Sequence, residues 1–90
     1  MNDTNLDIRR RKARFRSWHR GMREADLIMG GFADAAMDGL NPDELERYEE
    51  LLDVPDADLI RWVTGELAVP ARYDTPLFRK IAAHARTVRT

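Results

Sequence analysis

Apolar residues along this chain recur at three- and four-residue spacings, and no stretch alternates with period two over a useful length. Every predicted element is therefore a helix. A first helix is expected over residues 6–20, rich in Arg, Lys and Ala, with Ile8, Phe15 and Trp18 lining its apolar face. Gly21 interrupts the pattern. A second helix over 22–38 rests on Leu27, Ile28, Phe32, Ala35 and Ala36, and Gly39 stands where a left-handed C-terminal cap belongs. In the stretch NPDELERYEELL, Asn41 reads as an N-cap, Pro42 as the first helical residue and Glu44 as the partner that closes a capping box. Leu45, Tyr48, Leu51 and Leu52 form that third helix's apolar stripe. Asp56 is placed to cap a fourth helix, with Leu59, Ile60, Trp62 and Val63 inward and Gly65 ending it. After a loop, Thr75 and Pro76 start a last helix over 77–88. The fold class expected is all-α, a compact single-domain bundle of about five short antiparallel helices over 6–88, with a flexible arm at 1–5 and a tail at 89–90.

Length and charge sharpen this picture. Ninety residues make one domain with a thin core. Without cysteine there is no disulfide framework, thiolate metal site or cysteine nucleophile. No apolar run is long enough for a membrane span and no secretory signal is visible, so a soluble, monomeric protein of a reducing compartment is expected. The net charge of −1 hides an asymmetry, because residues 1–23 hold eight cations against Asp3 and Asp7. From Asp34 to Asp58, ten carboxylates face only Arg47. A molecule with two electrically opposite ends is expected, an arrangement suited to steering a partner.

Candidate chemistry is sparse. His19 and His84 are far apart with no motif around either, and no metal spacing, phosphate loop or nucleophile elbow occurs. No catalytic residue, metal ligand or cofactor-binding residue is assigned. Trp18, Tyr48 and Trp62 fall on apolar stripes and read as core anchors. The Gly30-Gly31 pair reads as a site of close packing. Around Arg20-Gly21-Met22-Arg23-Glu24 two readings stay open. Either the first helix ends there, with Gly21 at positive φ and Arg20 and Glu24 facing the two helix dipoles, or one helix runs through and pairs them at i,i+4. The basic first helix also suggests a small helical nucleic-acid-binding regulator, although a sequence pI of about 6.1 is low for one.

The same five residues carry a resemblance. Arg20-Gly21-Met22-Arg23-Glu24 is an Arg-Gly-x-x-Glu motif, HRGMREAD is similar to RRGMRELD of bacterial members, and LERYEELLDVPDADLIRWV follows in the matching order. Over residues 9–88 the chain resembles the small assembly factors that promote covalent flavin attachment to succinate dehydrogenase, the bacterial SdhE type and their mitochondrial relatives. His19 departs from the second basic residue that often precedes the motif arginine. The resemblance implies a five-helix, non-enzymatic factor, cytoplasmic in a bacterium or in the mitochondrial matrix of a eukaryote. Its implied partner is the flavoprotein subunit of succinate dehydrogenase, and possibly of fumarate reductase. It implies no cofactor of the factor's own, since FAD is attached in the partner. The partner-binding residues it implies are Arg20, Gly21, Met22, Arg23 and Glu24, with Arg20 offering its guanidinium fork to the partner. No nucleic acid is expected as a partner under this reading.

Overall fold

A computed structural model describes residues 3–88, so residues 1, 2, 89 and 90 of the expected arm and tail lie outside the described residues. Five α-helices follow one another: α1 (Asp3–Trp18), α2 (Arg23–Ala36), α3 (Pro42–Leu52), α4 (Asp56–Thr64) and α5 (Pro76–Val88), with 3-10 turns at Met37–Gly39 and Ala71–Tyr73. Among the described residues there is no strand. The central helix is α2, which packs against α1, α4 and α5, while α1 also lies on α3. Met29, Phe32, Ala33, Met37, Leu45, Tyr48, Leu51, Leu59 and Ile81 make the heart of the core.

Where a helix boundary is written in capping chemistry, sequence and structure agree. The Asn41 side chain accepts from the Glu44 amide at 2.8 Å, and the Asn41 amide donates to Glu44 Oε1 at 3.0 Å, closing the capping box. That amide bond, together with Lys80, holds the Glu44 carboxyl below the usual carboxylate range. Thr75 Oγ1 accepts from the Phe78 amide at 3.1 Å ahead of α5. Gly65 ends α4 in the left-handed region at φ 86°. Gly39 does not serve the same purpose, since it closes a 3-10 turn and only Gly21 and Gly65 among the described residues have positive φ. The cap of α4 also differs. Pro55 holds the N-cap position and Asp56 is the first helical residue, its carboxylate engaged elsewhere.

The first helix is rotated from the expected register. Its inner face is built from the partly buried Leu6 and Arg10 and the buried Ala13 and Ser17, whereas Ile8, Phe15 and Trp18 are exposed. Small Ala13 and Ser17 let α1 come close to its neighbours, and inward Arg10 is accommodated because its guanidinium donates to the Leu40 carbonyl at 2.8 Å. Trp18, expected in the core, is 36% exposed. Its ring lies against the backbone of α2, so close that a Cβ at Gly30 would clash with it. Its Nε1 donates to Asp34 at 3.3 Å. The glycine pair thus serves close packing, as its sequence reading expected.

Charge is also distributed differently from expectation. The basic helix lies against the acidic segment rather than at an opposite end. Arg9 bonds both oxygens of Glu49, Arg14 reaches Asp34 and Asp38, and Arg16 pairs with Asp53 at 2.8 Å. Each exposed pair contributes at most about 1 kcal/mol. Together they tie α1 to α2, to the 3-10 turn and to α3 and its C-terminal end.

Tyr48 gives the core a pH limit. Its hydroxyl is fully buried, donates to the Met29 carbonyl at 3.0 Å and contacts the Ser17 hydroxyl. Burial pushes its pKa from 10 up to about 12. A raised acid pKa means that the unfolded chain ionises first. The stabilisation is present in full below pH ~10 and is lost as pH rises toward 12, by about 2–3 kcal/mol in total. Urea midpoints should fall across pH 10–12, and the tyrosinate absorbance of Tyr48 should appear only as the chain unfolds. A flat midpoint over that window would contradict the buried, un-ionised phenol.

Candidate functional site

Four residues, 19–22, join α1 to α2. The helix-ending reading of this junction is the one observed. The His19 amide donates to the Arg16 carbonyl at 3.2 Å as α1 closes, and Gly21 turns the chain at φ 98°. Met22 is extended (φ −128°, ψ 124°), and the Asp26 amide donates back to its carbonyl at 2.9 Å to start α2. The Asp26 carboxylate accepts from the Arg20 amide at 2.8 Å, fixing the turn from its other side. A left-handed φ is cheap only for glycine; a Cβ costs about 1–2 kcal/mol. No continuous helix pairs Arg20 with Glu24. Glu24 does sit in the first turn of α2, where its charge complements the helix dipole. Arg20 is not in the last turn of α1, where Arg16 is the basic residue.

The expected outward fork of Arg20 is turned inward. Its side chain is 6% exposed and its Nε donates to Asp56 Oδ1 at 2.6 Å, that carboxylate side chain being 18% exposed. The two terminal nitrogens donate to the Leu52 carbonyl, at 3.0 Å, and to the Val54 carbonyl. These two carbonyls lie at the end of α3 and in the link to α4, so one guanidinium ties the 19–22 turn to the α3–α4 corner. A planar fork suits two diverging carbonyls and a carboxylate in a way a lysine does not. Arg20 therefore positions the turn; it does not present donors to a visitor.

The other four expected residues stand on the surface. Gly21, Met22, Arg23 and Glu24 are all exposed, and nothing lies within 4 Å of where a Gly21 Cβ would be. Among the described residues Arg23 and Glu24 enter no ion pair or side-chain hydrogen bond, in contrast to Arg20. Two neighbours escaped the sequence reading because both were assigned inward. Leu27 is exposed one turn beyond Arg23, and Trp18 covers Gly30 one turn further on. Together with Met22 they add exposed apolar surface to the junction and to the α2 stripe that leads from it, with one cation and one anion unpaired at its start. No group of three metal-ligating side chains is placed to hold an ion among the described residues. The arrangement offers a surface for contact. The nucleic-acid reading loses its footing here, since Arg9, Arg14, Arg16 and Arg20 are engaged with this chain's own carboxylates.

Comparison with known proteins bears on what that contact is. A family model described as flavinator of succinate dehydrogenase matches residues 11–85. The FAD assembly factor SdhE of Acetobacter pasteurianus is 38% identical over 84 residues, covering 93% of this chain and 77% of that protein. The mitochondrial succinate dehydrogenase assembly factor 2 of Dictyostelium discoideum is 32% identical over 83 residues, 92% of this chain and 59% of its own length. Factor 2-B of Drosophila ananassae is 32% identical over 83 residues, and the chain spans about half (51%) of that relative.

Proposed function

Because this chain belongs to the family of succinate dehydrogenase flavinators, we propose that it binds the flavoprotein subunit of that enzyme and promotes covalent attachment of FAD to it. The observation that carries this reading is the exposed Gly21 corner, with Arg23 and Glu24 unpaired beside it and Arg20 holding it rigid from within. A partner backbone can approach Gly21 without meeting a Cβ. Glu24 is then free to accept from partner amide or guanidinium donors, Arg23 to donate to partner carboxylates or carbonyls, and Met22, Leu27 and Trp18 to lose water on contact.

The factor is not itself the enzyme in this reading, and it carries no cofactor of its own. It acts as a monomer, in the cytoplasm of a bacterium or in the mitochondrial matrix. The bond to FAD forms in the flavoprotein, and the factor contributes through binding free energy. If it binds the flavoprotein more tightly when flavin and acceptor side chain are in reacting geometry, it raises the population of that geometry by the ratio of the two affinities. A corner that is already rigid loses little entropy on docking, which keeps more of the contact energy for that selection.

Glu24→Ala tests the reading without disturbing the fold. Loss of a dipole contact at an exposed position costs about 0.3–1 kcal/mol, so the variant should melt close to wild type. Loss of a charge-assisted bond at the contact, about 1.5–3 kcal/mol, should weaken flavoprotein binding by tenfold or more. Covalent flavin fluorescence of the flavoprotein band in a denaturing gel should drop in parallel in cells carrying only this variant. Undiminished fluorescence would remove Glu24 from the contact. Co-purification from wild-type cells, followed by an absorption spectrum, tests the partner itself: a flavin-bearing protein should come down.

A further inference from the structure

The outer face of α1 carries a second surface that the Gly21 corner does not use. Ile8 and Phe15, seven residues apart, both point to solvent, and the Phe15 ring is 63% exposed. Between them on the same face are Arg11 and Lys12, which among the described residues have no ion pair, unlike Arg9, Arg10, Arg14 and Arg16. The Phe15 ring is held upright. His19 stacks on it with centroids 4.0 Å apart, and His19 Nδ1 lies 2.7 Å from the Phe15 carbonyl. On one side of the ring the stems of Arg11, Lys12 and Arg16 form a depression of about 440 Å³. On the other, a cleft of about 380 Å³ runs between the Phe15–His19 stack and Leu52, Val54 and Pro55, with Arg20 in its lining.

We propose that the flavoprotein's footprint runs past the Gly21 corner onto this face, where an acidic segment of the flavoprotein bearing a large apolar side chain lies across Phe15. The inference rests on the function proposed above. Continuity supports it, because the cleft includes His19 and Arg20, the two residues leading into Gly21. Charge supports it too. Asp53 and Asp56 at the cleft are neutralised by Arg16 and Arg20, which leaves Arg11 and Lys12 as the uncompensated charges of the face. The apolar side chain fills the cleft, and carboxylates one helical turn away reach the two free cations. A second copy of this chain is a poorer occupant, since its Asp34, Asp38, Glu49 and Asp53 already serve its own first helix and its Asp56 serves its own Arg20. An anionic membrane is poorer still. The whole chain carries a net charge of −1, and two apolar side chains a heptad apart make too narrow a strip to insert.

The test measures affinity of the full chain for the purified flavoprotein subunit, prepared without covalent flavin. Phe15→Ala should bind at least tenfold more weakly, as loss of a central aromatic anchor does, while its circular dichroism and melting stay those of wild type. The pair Arg11→Glu, Lys12→Glu should bind at least tenfold more weakly in low salt, with a smaller deficit in high salt. Leu67→Ala, at an exposed apolar position in the α4–α5 loop, should bind as wild type. If wild type binds but Phe15→Ala and the charge-reversed pair stay within twofold of it, this inference is overturned and the proposed function stands. If wild type fails to bind the flavoprotein at all, both fall. Loss of self-association, or of binding to phosphatidylglycerol vesicles, in Phe15→Ala at unchanged flavoprotein affinity would assign the face to another occupant and overturn it equally.

Discussion

Arg20→Ala is expected to destabilise the protein by about 3 kcal/mol, the figure for breaking a buried ion pair reduced slightly because Asp56 keeps some contact with water. The loss has three parts in the geometry. Asp56, bonded at 2.6 Å, is left as a largely desolvated carboxylate, and the carbonyls of Leu52 and Val54 lose their donors. For a 90-residue domain each kcal/mol moves the melting temperature by roughly 4–8 °C, so a drop on the order of 15 °C should be seen. Urea titration gives the same quantity directly. Arg20→Lys should fall between, since one ammonium can neutralise Asp56 but cannot span both carbonyls. In Arg20→Ala, Asp56→Ala the two costs should be less than additive by about 1–3 kcal/mol, because the orphaned carboxylate is gone. A melting point within a few degrees of wild type would mean that the clamp is dispensable. Arg20 would then have to be reconsidered as a group that leaves its internal partners to meet the flavoprotein.

This bears on how a short motif is read. Arginine, glycine and glutamate lie within five residues, yet their roles in the structure diverge, with one side chain inside, one backbone at the surface and one charge free in solvent. The role of Gly21 was legible, because a glycine between two helix patterns admits few explanations. The role of Glu24 was legible in part, as the first turn of a helix. The role of Arg20 was not, since two of its acceptors are backbone carbonyls more than 30 residues away, and carbonyls leave no mark on side-chain patterning. The same limit hid the register of α1. Its inner face contains Arg10 and Ser17, each bonded to a carbonyl of this chain, so the polar side of the pattern was the inward one. The starts of the third and fifth helices were legible because Asn41, Glu44 and Thr75 act within three positions of themselves. Local chemistry is written in local sequence; the turn's internal support is not.

Gly21→Arg is expected to abolish flavoprotein binding, by 100-fold or more, while most of the helix content survives. The comparison that makes this informative is Gly21→Ala. Both variants force a side-chain-bearing residue to φ 98°, so both should lose about 1–2 kcal/mol of stability and melt several degrees lower by a similar amount. They differ in what extends beyond Cβ, and that extension starts from open space, since beyond the two chain neighbours no atom lies within 4 Å of the Cβ position. Strain inside the factor is therefore common to the pair, and bulk outside it is not. If the flavoprotein backbone packs on this corner, Gly21→Ala should retain partial binding and partial flavin attachment, and Gly21→Arg neither. If instead the two variants bind equally, the corner matters only for the direction in which it sends α2. The contact must then be sought on the Arg23, Glu24 and Leu27 face alone. Circular dichroism alongside the affinity measurement separates these outcomes from simple unfolding, because residues 19–22 belong to no helix and their strain leaves the α-helical signal nearly intact.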